Sequence, residues 1–314
     1  MAEVTGIAWT DSTFNPWIGC TKVSPGCDHC YAEAMDKRHR WGGATHWGPW
    51  VPRKRTSEAY WKQPLTWNRK AEASGKRHLV FCASLADVFD NEVDARWRGD
   101  LFRLIERTHN LTWLLLTKRI GNAVRFMPWG EIHMPPNVWI GASVVNQEEA
   151  DRDIPKLLAT PAAKHFVSYE PGLGPIDFTR ISLGKAPMRV ANSGDHNQQF
   201  REMEFTINAL KGAKSINWPA LDWIIVGGES TQGAPARPFD VNWAVDTIRQ
   251  CKAAGVPVFV KQLGGNPFSG EPHTSVGKEL VAIMENRPGW RLKDRAGADP
   301  AEWPEDLRVQ EFPT

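Results

Sequence analysis

Short apolar runs alternate with amphipathic segments along most of the chain. Six runs of four or five residues, rich in Val, Ile, Leu, Phe and Trp, predict strands, and a weaker run precedes them at residues 6–9. The six lie at residues 79–83, 112–116, 138–141, 165–168, 223–226 and 256–260. Residues 93–108, 146–158 and 240–254 repeat apolar positions every three to four residues, which predicts helices. This alternation predicts parallel strands joined by right-handed crossovers.

The strand ends indicate which kind of parallel sheet to expect. No Gly-x-Gly-x-x-Gly motif follows the first strand, and polar residues follow nearly every strand. The pattern therefore favours an α/β fold with a parallel (β/α) barrel or partial barrel of six to seven strands. We expect the barrel to span residues 1–264, with insertions at 37–78 and 178–221, and residues 265–314 to form an irregular cover. The second insertion is longer than a normal crossover and predicts a lid or a partner-binding element.

In a parallel barrel, the polar residues that follow the strands meet at one mouth. Each of them alone could be an ordinary solvated loop residue. Six consecutive strand ends with polar side chains favour a binding site instead. The side chains expected in this mouth are Ser84 and Asp87, Thr117 and Lys118, Ser143 and Asn146, Ser168 and Glu170, Glu229 and Ser230, and Lys261 and Gln262.

Three of the five cysteines form a motif. Cys82 falls in a predicted strand and Cys251 in a predicted helix, so both are expected in the core. Cys20, Cys27 and Cys30 share one loop with the spacing Cys-x6-Cys-x2-Cys. Three thiolates can hold three corners of a [4Fe–4S] cluster and leave the fourth iron free for a ligand. A disulfide would leave an odd thiol and does not suit a reducing compartment.

Zinc is the alternative ligand of the same loop. A Cys3His site would need one histidine, and His29, His39 or His46 could provide it. A structural zinc site usually brings a second pair of ligands from elsewhere in the chain, and the sequence contains no such pair. The corresponding function is a zinc-stabilised nucleic-acid-binding protein without radical chemistry.

Positive charge is concentrated in one stretch of the chain. Overall, 38 basic against 36 acidic residues give a formal charge of +2. Residues 37–78 alone hold eleven Lys and Arg against two Glu, and five tryptophans lie among them. Cations neutralise phosphates and flat rings stack on bases, so this stretch predicts contact with DNA, RNA or a nucleotide. The contacts are assigned to Trp47, Trp50, Arg53, Lys54 and Arg55, although the tryptophans could equally cover the barrel.

Overall composition limits the class of protein. Hydrophobic residues make up 41% of the chain and charged residues 24%, as in an ordinary globular protein. No apolar run approaches the roughly 18 residues that a membrane span needs, and no secretory signal opens the chain. We expect a cytoplasmic protein with no membrane partner.

The cysteine loop and the strand ends together resemble a known group of proteins. The chain is similar to an uncharacterised family of bacteriophages and bacteria that is grouped with the radical S-adenosylmethionine (radical SAM) barrels. The commonest radical SAM spacing is Cys-x3-Cys-x2-Cys, so the first interval is longer here. The resemblance is carried by residues 13–20, 24–33, 84–89, 116–119, 139–144, 168–171, 226–230, 259–262 and 302–304.

The resemblance implies an enzyme with two cofactors and an electron donor. It would bind one [4Fe–4S] cluster through the three cysteines, together with S-adenosylmethionine, and be reduced by a flavodoxin- or ferredoxin-like protein. The cofactor would be cleaved to a 5′-deoxyadenosyl radical that modifies or repairs a nucleic acid or nucleotide. The cofactor-binding positions would be His29, Ser84, Asp87, Ser143, Asn146, Glu170, Gly227, Gly228 and Glu229, and the catalytic positions Lys118, Glu170 and Lys261.

Within that set the resemblance suggests individual contacts. His29 occupies the place of an aromatic residue near the adenine, and Gly227 and Gly228 would let the backbone approach the same ring. Asp87 or Glu229 would hold the amino group. Lys118 or Lys261 would pair with the methionine carboxylate or a substrate phosphate. Contacts to the ribose would come from Ser143, Asn146 and Glu170.

Overall fold

A single parallel sheet organises the chain. The computed structural model describes residues 5–41, 43–190, 199–213, 218–231, 234–269 and 292–314. Seven strands follow one another in chain order across the sheet, and each pair of neighbours is parallel. The sheet curls into a half-barrel, which confirms the predicted partial barrel. The strands are β1 (Ser12–Thr13), β2 (His78–Cys82), β3 (Leu111–Thr117), β4 (Val138–Ser143), β5 (Lys164–Tyr169), β6 (Trp223–Gly227) and β7 (Val258–Gln262).

Helices connect the strands on the convex side. The three predicted helices are confirmed as α4 (Ala95–Glu106), α6 (Gln147–Leu158) and α7 (Val241–Ala254), which lead from β2 to β3, from β4 to β5 and from β6 to β7. The side chains of Asp94, Asn146 and Asp240 cap their first turns, and α7 ends at Gly255, whose φ of 73° suits a residue without Cβ. The described α-helices are α1 (Tyr31–His39), α2 (Glu58–Trp61), α3 (Gln63–Ser74), α4 (Ala95–Glu106), α5 (Ala123–Phe126), α6 (Gln147–Leu158) and α7 (Val241–Ala254).

The two faces of the sheet have separate cores. Alternate residues such as Val80 and Ile140 pack under the helices, while Phe81 and Phe166 point into the concave face. Trp9 fills the concave core, with its ring centroid 4.6 Å from that of Phe81. Cys82 and Cys251 are fully buried, as expected.

The predicted first strand at residues 6–9 is wrong. These residues form a turn closed by the hydrogen bond from Thr10 N to Ile7 O, and the turn places Trp9 inside the half-barrel. The edge strand is β1 instead, where Ser12 and Thr13 pair with β2. The apolar residues here predicted a strand, but the Trp9 side chain instead packs in the core of the concave face.

Both insertions have their own structure. Within the first, Lys54–Arg55 pairs antiparallel with Trp17–Ile18, and α2 and α3 follow. The second contains an antiparallel hairpin of Ile181–Val190 and Gln199–Ile207. Near the C-terminus, Phe239–Asp240 pairs with Pro267–Phe268, and residues 309–311 hydrogen-bond to the free edge of β7. Among the described residues, no helix has the length and apolar character needed to span a bilayer.

Candidate functional site

One cavity of about 420 Å³ opens at the carboxyl ends of the strands. Its volume is that of a site for a small molecule or cofactor. The cysteine loop forms one wall, and residues at or just after the carboxyl ends of β2 to β7 form the others. Among the lining residues predicted from the sequence are Cys20, Cys27, His29, Cys30, Trp47, Ser84, Asp87, Thr117, Lys118, Ser143, Ser168, Glu170, Gly228, Glu229, Ser230, Lys261 and Gln262.

The cysteine loop is fixed by backbone hydrogen bonds. Gly19 N donates to Leu85 O, and Gly48 N donates to Cys20 O. Gly19 has φ +112°, and a Cβ there would lie 2.3 Å from His46 O, so only glycine fits. Further along, Ser24 caps the short helix Pro25–Cys27, and α1 begins directly after Cys30. All three thiols are thereby held along one wall.

Cys27 is buried, and Cys20 and Cys30 are half-buried. Burial and the nearby Asp87 carboxylate raise the pKa of Cys20 to about 12, even though Arg119 Nη1 lies 3.3 Å from its Sγ. Burial also raises the pKa of Cys30. In the part of the chain that the structure describes, no group of three or more His, Cys, Asp and Glu is placed to hold a metal ion. The loop brings the thiols to one cavity without preassembling them around an ion.

Asp87 organises the turn after β3. Its carboxylate accepts hydrogen bonds from Thr117 Oγ1 at 2.7 Å, Phe89 N at 2.9 Å and Lys118 N at 3.0 Å. It also forms an ion pair with Arg119 at 3.3 Å. These contacts hold the Asp87 carboxylate in place and make it the structural centre of the turn.

A second buried arginine supports the cysteine loop. Arg53 pairs with Asp90 at 2.7 Å, and both side chains are almost completely buried. It also donates to Thr21 Oγ1 and to the carbonyl oxygens of His46, Gly48 and Val51. The Arg53 guanidinium is therefore used inside the protein and does not face solvent, where a phosphate could reach it.

Lys118 projects toward the cysteine loop. Its Nζ donates to Ser143 Oγ at 2.7 Å, and its charge acts to lower the pKa of Cys30, although burial outweighs that effect. No carboxylate among the described residues forms an ion pair with it, in contrast to Arg119 and Lys261. Lys118 thus places uncompensated positive charge in the cavity.

Glu170 and Lys261 form an ion pair across the cavity at 3.0 Å. A Cβ on Gly227 would lie 2.8 Å from Glu170 Oε1, and one on Gly228 would lie 2.4 Å from Leu263 O. The backbone of Leu263 therefore already requires glycine at residue 228, whereas a Cβ at residue 227 would crowd the end of the Glu170 side chain. Of the two, Gly228 lines the cavity and Gly227 does not.

Glu229 is held from two sides. Arg237 forms an ion pair with it, and His29 Nδ1 donates to its Oε2 at 2.8 Å. Burial raises the pKa of Glu229, but the hydrogen bonds from Arg237 and His29 outweigh burial, and the pKa lies below its ordinary value. This carboxylate is ionised at neutral pH, and it orients the His29 ring.

Some predicted site residues lie elsewhere. Asn146 does not line the cavity, because its side chain accepts from Glu149 N and caps α6. Arg55 pairs with Asp100 and stacks on Trp61, and Lys54 is half-buried in the same short strand. Trp47 is buried and lines the cavity, whereas Trp50 is 90% exposed.

Several residues of the site were not predicted from the sequence. Arg119 follows Lys118 directly, and Tyr31 follows Cys30, so adjacency to a predicted residue was the available signal. Tyr31 lines the cavity and donates to Ser84 O. Arg237 and Trp9 had no comparable signal, because only the fold brings them to Glu229 and to the cavity floor.

Comparisons with other proteins identify a family but no function. A family model described as "Protein of unknown function (DUF5131)" matches residues 4–293, which is most of the chain. No curated protein and no solved structure matches this chain.

Proposed function

We propose that this chain, which belongs to the DUF5131 family, is a radical SAM enzyme. It would hold a [4Fe–4S] cluster on Cys20, Cys27 and Cys30 and reductively cleave S-adenosylmethionine, acting on a nucleic acid or nucleotide. One observation carries the proposal: three thiols from one loop and the polar ends of six successive strands line the same cavity.

The donor set suits a cluster. Soft thiolates are the ligands of iron–sulfur clusters, and three of them leave one iron open. A cluster bonds each thiolate to a different iron, so its cysteines stand further apart than the ligands of one ion. When bound and reduced, the cluster would supply the electron that splits the C5′–S bond of S-adenosylmethionine into methionine and a 5′-deoxyadenosyl radical.

Charged side chains of the cavity would bind both the carboxylate and the ammonium group of an amino acid. Lys118 offers a cation with no carboxylate partner among the described residues, beside Cys30, where it would bind the methionine carboxylate. Glu229 is an ionised carboxylate on the cavity wall, where it would accept from the ammonium. The Glu170–Lys261 pair is the remaining polar feature that could contact a ribose or a substrate.

The aromatic floor would exclude water from the reacting atoms. Trp9, Phe81 and Leu116 line the bottom of the cavity. A radical that abstracts hydrogen needs such shielding from side reactions. The chain would therefore position the cofactor and exclude water from the cavity.

A single zinc ion is the second candidate for the cysteine loop. It would need four ligands close together in tetrahedral geometry. Among the described residues no group is placed for one ion, but His29 bonds to Glu229 through Nδ1, as a zinc-ligating histidine commonly does, and leaves its Nε2 for a metal. Metal analysis of anaerobically prepared protein distinguishes zinc from the cluster.

Anaerobic reconstitution with iron and sulfide, followed by dithionite and S-adenosylmethionine, tests the proposal. We expect a brown protein that yields 5′-deoxyadenosine and methionine. Alanine at Cys20, Cys27 or Cys30 should abolish both iron binding and cleavage, whereas alanine at the core residues Cys82 or Cys251 should retain the cluster. One tightly held zinc and no iron after anaerobic preparation would contradict the proposal.

A further inference from the structure

The end of α1 and the residues that follow it carry exposed cations and aromatic rings, of which Trp41 is half-buried against a small core that includes Ala32 and Trp47. Arg38 and Arg40 are exposed, and no described residue forms an ion pair with either. The rings of His39 and Trp41 stack with centroids 5.2 Å apart, and Trp50 is 90% exposed. We call these five residues the α1 patch.

The patch is tied to the cysteine loop. Helix α1 starts directly after Cys30, and its nine residues span about 13 Å. The buried Asp36 in this helix accepts from His46 N and Nδ1 at 2.7 and 2.8 Å. The loop that continues to Trp50 is also fixed by the hydrogen bond from Gly48 N to Cys20 O. The residues at the end of α1 therefore stand about one helix length from Cys30, while Trp50 follows three residues after Trp47, which lines the cavity.

Exposure of Trp50 needs a physical explanation. Tryptophan side chains are highly buried on average, whereas Trp50 is 90% exposed. Its ring therefore adds almost no hydrophobic stabilisation to the fold. The backbone at Trp50 has φ 63°, a left-handed conformation that residues other than glycine rarely adopt. The chain thus presents a large ring to solvent ten residues after Arg40.

We propose that the α1 patch binds single-stranded nucleic acid. Arg38 and Arg40 would neutralise backbone phosphates, while Trp50 and the His39–Trp41 stack would receive unpaired bases. This inference rests on the proposed function in one respect, because it names the substrate class for the reaction. Duplex DNA does not expose its base faces, so a stacking surface favours a single strand.

The patch shares Trp50 with the contacts that the sequence predicted, but its cations are different. Arg53 is buried against Asp90, and Arg55 is occupied by Asp100 and Trp61. The basic stretch therefore divides into cations that stabilise the fold and cations that remain available at the surface.

Fluorescence anisotropy of a labelled single-stranded oligonucleotide, measured over a salt series on the full chain without reductant, tests this inference. Arg38→Gln with Arg40→Gln should lower the log–log salt slope by about 1.4, because each phosphate contact on a single strand contributes about 0.7. Trp50→Ala should weaken binding by about 5-fold to 150-fold, whereas Trp50→Phe should keep most of the affinity.

The control removes the same charge elsewhere. Lys76 and Arg77 are exposed and belong to the same basic stretch, so Lys76→Gln with Arg77→Gln should leave the slope as in wild type. An equal loss of slope in this control would overturn the proposal, as would undetectable binding by wild type at low salt. So would patch variants that slow reduction by an acidic electron-transfer protein and leave oligonucleotide binding unchanged.

Failure of this inference is separable from failure of the radical chemistry. Oligonucleotide binding is read without iron or S-adenosylmethionine, and cofactor cleavage by wild type is read without nucleic acid. Cleavage of S-adenosylmethionine without oligonucleotide binding would overturn the proposed role of the α1 patch and leave the proposed enzyme activity standing. Binding with no cleavage would retain the patch and overturn the proposed function.

Discussion

Replacing Asp90 with alanine should destabilise the folded chain by about 3 to 5 kcal/mol. Asp90 Oδ2 accepts from Arg53 Nε at 2.8 Å and pairs with Nη2 at 2.7 Å, and the exposed fractions of the two side chains are 2% and 0%. In Asp90→Ala, the guanidinium stays buried without its carboxylate. The expected cost is that of an uncompensated buried charge.

The magnitude is large for a single side chain. A domain of ordinary stability unfolds with about 5 to 15 kcal/mol, so the substitution would remove a substantial part of the total. Arg119 Nη2 also lies 3.8 Å from Asp90 Oδ1, so a second cation loses part of its compensation. Hydrogen bonds from Arg53 to three backbone carbonyl oxygens would remain and limit the loss.

Guanidinium unfolding followed by tryptophan fluorescence measures the effect. The matched control is Asp246→Ala, which breaks a 3.2 Å ion pair with Arg249 whose side chain is 53% exposed. Exposed pairs of this kind contribute about 0 to 1 kcal/mol. A midpoint for Asp90→Ala no lower than that of the control would refute the reasoning.

A double substitution separates the lost pair from the stranded charge. Combining Arg53→Met with Asp90→Leu removes both charges, so part of the stability lost in Asp90→Ala should return. A double variant that is less stable than Asp90→Ala would mean that shape, rather than charge, explains the loss.

Three further predictions follow from other contacts. Glu229→Gln should weaken S-adenosylmethionine binding to the reconstituted protein by about tenfold or more, as measured by calorimetry, because it removes the ionised acceptor. Asp87→Asn should instead mainly lower the melting temperature, and equal affinity losses would contradict this division. Burial lowers the pKa of His165, so the unfolded chain takes up a proton below about pH 6.5 that the folded chain resists. The free energy of unfolding, measured by urea titration at each pH, should therefore fall from about pH 7 to pH 5.5 by at most about 1.4 kcal/mol per pH unit. The fall should be smaller in His165→Gln. Gly141→Ala should destabilise by about 1 to 3 kcal/mol in the same assay, because its Cβ would lie 2.3 Å from the Phe166 ring, and an unchanged midpoint would contradict that clash.

The sequence determined the sheet and the mouth of the site. Strands β2 to β7 were predictable because each is a short apolar run between helical segments, and parallel strands direct their carboxyl ends to one edge. Residues at the carboxyl end of a strand, such as Lys118, Glu170 and Lys261, were therefore found from position alone. The cysteine loop was recognisable because its three soft side chains lie within eleven residues.

Only the tertiary structure decided how charged residues are used. Arg38 and Arg53 belong to the same basic stretch, and nothing local distinguishes them. Arg53 is buried because the fold brings Asp90, 37 residues away, within hydrogen-bond distance, while no described residue pairs with Arg38. Likewise, Arg237 reaches Glu229 through a loop without periodic pattern. Hydrophobic periodicity specifies elements and faces, but the partners of a charge depend on which loops the fold brings together.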